Sequence, residues 1–222
     1  MIPRTLIDST EIPGGGTLRL IRRGDEYSIT LANNELMNSR MSGSEEALAT
    51  LACARIAGRA APRVLIGGLG MGFTLRAALA RLPADAAITV AELVPAVIAW
   101  GRGPLSALFG DSLTDPRVTL ITGDVGAVIH AAAGGYDTIL LDVDNGPEGV
   151  SRKGNDALYG LAGLRAARAA LRPGGVLAIW STAPDSGFVQ RLRATGFTVG
   201  EHVVRANGAR GGARHVLWIA EI

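Results

Sequence analysis

Residues Arg63–Leu75, RVLIGGLGMGFTL, constrain this chain more than any other stretch. The apolar run Val64-Leu65-Ile66 has the length of a short buried strand and stops at a glycine cluster. From Phe73 the chain turns to helix formers, with apolar residues at Phe73, Leu75, Leu79 and Leu82. Strand, glycine loop and helix in that order form the first unit of an open α/β nucleotide-binding sheet. Glycine allows a sharp turn and close backbone approach, and the free N–H groups of the helix start face the ligand.

Gly68, Gly70 and Gly72 give G-x-G-x-G, whereas the dinucleotide fingerprint G-x-G-x-x-G needs a glycine where this chain has Phe73. A second apolar run, Ala87–Ala91, ends in Glu92, a carboxylate placed to accept the hydroxyl hydrogens of a ribose. A third, Val118–Ile121, ends at Thr122-Gly123-Asp124, which suits an adenine edge, with the Val125 N–H alongside. A fourth, Thr138–Leu141, ends at Asp142. Gly, Glu, Asp and Asp thus arrive at one sheet edge, where such folds bind ligands.

The rest of the chain fits around this core. Thr17–Arg22 and Glu26–Leu31 alternate in polarity across the tight Arg23-Gly24-Asp25 connection, which predicts a hairpin within an N-terminal extension, residues 1–36. Residues 37–222 form the nucleotide-binding domain. It opens with a helix from Ser42 to about Ala57, capped by the serine and expected to pack on the sheet. Pro95 stands in the first turn of the helix that follows Glu92. Further helices are expected over Val125–Ala133, Leu158–Leu171 and Phe188–Ala194, with a fifth strand at Val176–Trp180. Thr198–Val204 and His215–Ile219 close the chain as a hairpin.

At 222 residues and 48% hydrophobic, with only 5% aromatic, the chain builds one domain on an aliphatic core. A net charge of +2 is too small to imply nucleic acid, and the basic tip Arg205–Arg214 reads as a solvated hairpin end. The single cysteine, Cys53, and three histidines without partners at ligand spacing give no metal site. With no signal peptide or membrane span visible, a cytoplasmic location is expected.

The order VLIGGLGMG, AELVP, TGDV, LLDVDNGP and LRPGGVLAIW resembles the class I S-adenosylmethionine-dependent transferases. Thr74-Leu75-Arg76, Asp115-Pro116-Arg117-Val118 and Tyr136-Asp137 make it most similar to their spermidine synthase branch, the polyamine aminopropyltransferases. The resemblance covers Pro62 to Trp180. It implies a mostly parallel seven-stranded Rossmann-like sheet with helices on both faces and a C-terminal antiparallel hairpin. It also implies an S-adenosyl donor, either S-adenosylmethionine or its decarboxylated form, an amine acceptor, and pairing as a homodimer through the N-terminal strands. Asp142 matches the proposed base of the motif Asp-Ser-Ser-Asp-Pro; Asn145 stands at its second carboxylate, with Asp144 one position away. Met71 stands where the family carries the Asp that binds the ammonium of a decarboxylated donor. Tyr159 and Trp180 are each read either as lining the acceptor pocket or as packing.

The resulting expectation is transfer of an aminopropyl group to a small amine. The alternatives are methyl transfer from S-adenosylmethionine and a non-catalytic nucleotide- or RNA-binding module.

Overall fold

Alternation along the central strands decides which helices sit on which face. The structure, a computed structural model, describes residues 2–143 and 157–222. Seven strands form one sheet: β5 (Arg63–Gly67), β6 (Ala87–Glu92), β7 (Val118–Thr122), β8 (Tyr136–Leu141), β9 (Leu171–Ser181), β10 (Thr198–Arg205) and β11 (Arg214–Glu221). Their spatial order is β10-β11-β9-β8-β5-β6-β7. Pairings from β9 through β7 are parallel, and β11 runs antiparallel to both of its neighbours. The expected fold class is borne out, C-terminal hairpin included.

Successive side chains of a strand point to opposite faces. Val64, Ile66, Val176, Ala178, Trp180, Leu217 and Ile219 enter one core with α1 (Gly43–Arg55), α2 (Phe73–Leu79) and α3 (Pro95–Arg102). Leu65, Leu177, Ile179, Val216 and Trp218 enter the other. There they meet α5 (Val125–Ala131), α6 (Leu161–Ala170) and α7 (Ser186–Ala194); a short α4 (Ser106–Phe109) follows α3. Burial on both faces is why these strands read as continuous apolar runs.

The N-terminal hairpin is larger than expected. Thr17–Arg23 (β2) and Glu26–Leu31 (β3) do pair, but β1 (Thr5–Glu11) and β4 (Asn34–Asn38) complete a four-stranded antiparallel sheet. β1 carries no period in the sequence because it is an almost fully exposed edge strand with no buried face to imprint one. Leu18, Leu20 and Ile29 of this sheet, with Ile12 just after β1, join the α1–α3 core. Trp100 Nε1 of α3 donates to Asp8 Oδ2 at 2.6 Å, linking β1 to the main domain.

Helix α1 starts differently from expectation. Ser42 makes no side-chain cap. Instead the Gly43 N–H donates to Ala206 O at 2.8 Å, fixing the helix start to the end of the last hairpin. Glycine is required there, because a Cβ would stand 2.2 Å from Gly208 N.

Candidate functional site

The carboxyl ends of the parallel strands are knitted together beyond the strands themselves. Gly68 N donates to Ala91 O at 2.9 Å, Gly123 N to Glu92 O at 2.9 Å, and Asp142 N to Gly67 O at 3.0 Å. These bonds hold three loops side by side at the mouth of a cavity of about 340 Å³, a small-molecule size.

Gly68, Gly70, Glu92, Asp124, Val125, Asp142 and Trp180 all line that cavity. Glu92 is buried, and its two oxygens accept from Leu69 N at 2.9 Å and Val94 N at 2.8 Å. Burial raises its pKa, opposed by those backbone donors. The carboxyl therefore shapes the glycine loop, and each oxygen retains acceptor capacity for a ligand hydroxyl. Asp124 caps α5, accepting from Gly126 N at 2.8 Å, at the rim beside Gly123. Asp142 keeps some surface toward the cavity but is otherwise enclosed. That enclosure pushes its pKa up to about 6, against a 2.5 Å hydrogen bond from Thr74 Oγ1 that lowers it.

Two expected site residues lie elsewhere. Gly72 is not on the cavity wall. Its missing side chain makes room for Phe109, whose Cε1 would lie 2.4 Å from a Cβ there. Tyr159 packs edge-on against Phe188 in the opposite core, at 5.7 Å between ring centroids, and its hydroxyl donates to Val143 O at 3.4 Å. Asp144 lies outside the described residues. So does Asn145. Met71 is buried in the α1–α3 core.

The structure also adds residues that spacing had not pointed to. Glu45, in the first turn of α1, faces the cavity rather than solvent. Burial and, second, the charge of Asp142 push its pKa up to about 7. Ser44 Oγ donates to Glu45 Oε2 at 2.7 Å and lies 2.9 Å from His215 Nδ1. His215 in turn rests edge-on against Trp180, with ring centroids 4.6 Å apart. Acids at Glu45 and Glu46 read as complements to a helix dipole, so only the face they present distinguishes them. Ser44 and His215 are 171 positions apart, beyond any local pattern.

The far wall comes from the N-terminal sheet, through Ile12, Leu18, Ile29, Leu31, Leu36 and Met37. Five carboxyl side chains line the cavity (Glu35, Glu45, Glu92, Asp124 and Asp142), and among the described residues no Arg or Lys does. Such a site favours cations with hydrocarbon bodies. Among the described residues no His, Cys, Asp and Glu group is arranged to hold a metal ion. None of the helices there is long and apolar enough to cross a membrane.

No family model matches the chain. Over 52% of its length it is 39% identical to putrescine N-methyltransferase 4 of Nicotiana tabacum. Over 61% it is 30% identical to the polyamine aminopropyltransferase of Mycobacterium tuberculosis. The chain spans under a third of these relatives, 28% and 27% respectively. The solved spermidine synthase of Thermotoga maritima superposes with a TM-score of 0.78 at 19% identity, covering 97% of this chain and 72% of that one. A spermidine synthase bound to the transition-state analogue AdoDATO gives a TM-score of 0.76. The resemblance to the spermidine synthase branch is thus borne out, and the solved structures share its fold.

Proposed function

We propose that this chain transfers an alkyl group, foremost aminopropyl, from an S-adenosyl donor to a small amine. The observation that carries the reading is the pair of Glu45 and Asp142 on the wall of a cavity that Gly68, Gly70 and Glu92 also line. A sulfonium is already a good leaving group, so the protein mainly has to align donor and nucleophile. An amine attacks only as the free base, and carboxyls lifted to about 6 and 7 accept its proton near neutral pH.

In this reading Glu92 holds the donor ribose, Asp124 and Val125 the adenine, and Gly68 and Gly70 let the donor approach the backbone. Asp142 orients and deprotonates the acceptor, and Trp180 walls the acceptor side. The donor, when bound, supplies the electrophilic carbon next to its sulfonium. The N-terminal sheet, expected as a unit over residues 1–36, contributes the apolar wall to the transferase domain over 37–222.

Methyl transfer from intact S-adenosylmethionine is the second reading, favoured by Met71. It stands at the loop position where the family pattern carries the acid that meets a decarboxylated donor's ammonium, and its side chain is buried in the α1–α3 core. The sequence relatives carry names of both kinds, putrescine N-methyltransferase and polyamine aminopropyltransferase.

Calorimetric binding of S-adenosylmethionine, its decarboxylated form and methylthioadenosine, followed by product mass with putrescine as acceptor, tests this. Preference for the decarboxylated donor and an aminopropyl product support the main reading. Preference for the intact donor and a methyl product establish the second. Binding of none overturns both.

A further inference from the structure

Ser44 has one hydroxyl hydrogen and two polar neighbours, Glu45 Oε2 at 2.7 Å and His215 Nδ1 at 2.9 Å. A hydroxyl so placed donates to one and accepts from the other. When Glu45 is ionised, Ser44 donates to it and accepts from a His215 Nδ1–H. When Glu45 is protonated, it donates to Ser44 Oγ, Ser44 donates to Nδ1, and the ring carries its hydrogen on Nε2. Ser44 is fully buried, Glu45 nearly so and His215 partly open, and all three lie on the wall of the same cavity. Backbone geometry fixes the line, since the Gly43 N–H is tied to Ala206 O on the hairpin that carries His215.

We propose that Glu45, Ser44 and His215 form a relay that carries the acceptor's proton away from Asp142, along the cavity wall, to the partly open His215 ring. This rests on the transfer reading above. An ammonium acceptor and a sulfonium donor give an alkylated ammonium and a thioether, so one C–N bond forms, one C–S bond breaks and one proton is released. That proton lands on the Asp142–Glu45 pair. Glu45 then passes a proton to Ser44 Oγ, Ser44 passes its own to His215 Nδ1, and Nε2 releases one to water. The line is reset by a half-turn of the imidazole ring and of the Ser44 hydroxyl, which presents a bare ring nitrogen to Ser44 again. The groups acting on Glu45 are Asp142 at the end of β8 and Glu46 on α1. Glu92, Asp124 and Glu35 line the same cavity from β6, the α5 cap and β4. Burial lowers the pKa of His215.

Imidazole ¹⁵N spectra of the three histidines, followed from about pH 5 to about pH 9, read the relay without turnover. His215 is expected to pass from the Nε2–H to the Nδ1–H form as the acid pair ionises. Glu45→Gln and Ser44→Ala are expected to abolish that switch while the His130 and His202 signals match those of wild type. A single His215 tautomer across the range, or a switch that persists in Glu45→Gln, overturns the relay. Kinetics then test its use: Ser44→Ala should slow single-turnover transfer about tenfold or more with a solvent isotope effect and little change in KM. Ser44→Thr, which keeps the hydroxyl, should restore most of the rate. Equal rates in wild type and Ser44→Ala overturn the proposal and leave the transfer reading standing. A switching His215 in a protein that alkylates no amine overturns the transfer reading instead.

Discussion

Thr74 Oγ1 donates to Asp142 Oδ2 at 2.5 Å, so the helix that leaves the glycine loop holds the carboxyl delivered by β8. Burial drives the pKa of Asp142 up, and this bond holds it down. Thr74→Val keeps the shape and removes the donor. The acid limb of the pH–rate profile is expected to move up by about half to one unit. An unmoved limb would show that Asp142 does not govern it.

Asp142→Asn keeps the volume and the Thr74 contact but cannot take a proton. Turnover is expected to fall by about 100-fold or more, while calorimetric donor affinity stays within a few-fold. Normal turnover in this variant would remove Asp142 from the chemistry.

Glu45 ties stability to pH. Its pKa rises from 4.5 to about 7 on folding, by burial first and the charge of Asp142 second. The unfolded chain therefore releases this proton first as pH rises. The stabilising contribution is complete below about 4.5 and gone above about 7. Glu45→Gln is expected to be more stable than wild type at pH 8, by about 1–3 kcal/mol, and to lose that advantage by pH 5. Urea unfolding at the two pH values checks this, and a constant difference would count against a buried Glu45.

Gly72 and Phe109 share one space. Gly72→Ala adds a Cβ against a buried ring at a φ of +76°, so a loss of about 1–3 kcal/mol is expected. Phe109→Leu in the same chain should recover part of the Gly72→Ala loss, since the ring is what the methyl meets. Additive losses in a double-mutant cycle would refute the contact.

Asp137 anchors the opposite end of the sheet. It accepts from Arg63 N at 2.7 Å, Arg59 Nη1 at 2.7 Å and Arg172 Nη1 at 2.9 Å. Burial works against its charge, but these donors hold its pKa below the ordinary value of 3.8. Its stabilisation is full above that value and lost as pH falls through the lower folded one. Asp137→Asn is expected to cost about 2–4 kcal/mol at pH 7, with the gap narrowing below about pH 4. A gap independent of pH would exclude the ion pairs as its source.

The order of strand ends, Gly68, Glu92, Asp124 and Asp142, was legible in the amino-acid sequence because each is a local event: an apolar run that stops, then a polar or flexible residue. Two-sided burial made those runs continuous, and glycine, proline and charge marked where they ended. Which glycine faces the cavity and which faces Phe109 was not legible, since the loop has the same spelling either way. Nor was the joining of Ser44, Glu45 and His215, which depends on α1 being docked to the last hairpin at Gly43 and Ala206. Local chemistry thus determined the elements and the sheet edge where a ligand sits. Only tertiary packing decided which side chains lost their water there, and burial, a property of the whole fold, is what moved Glu45 and Asp142 toward neutral pH.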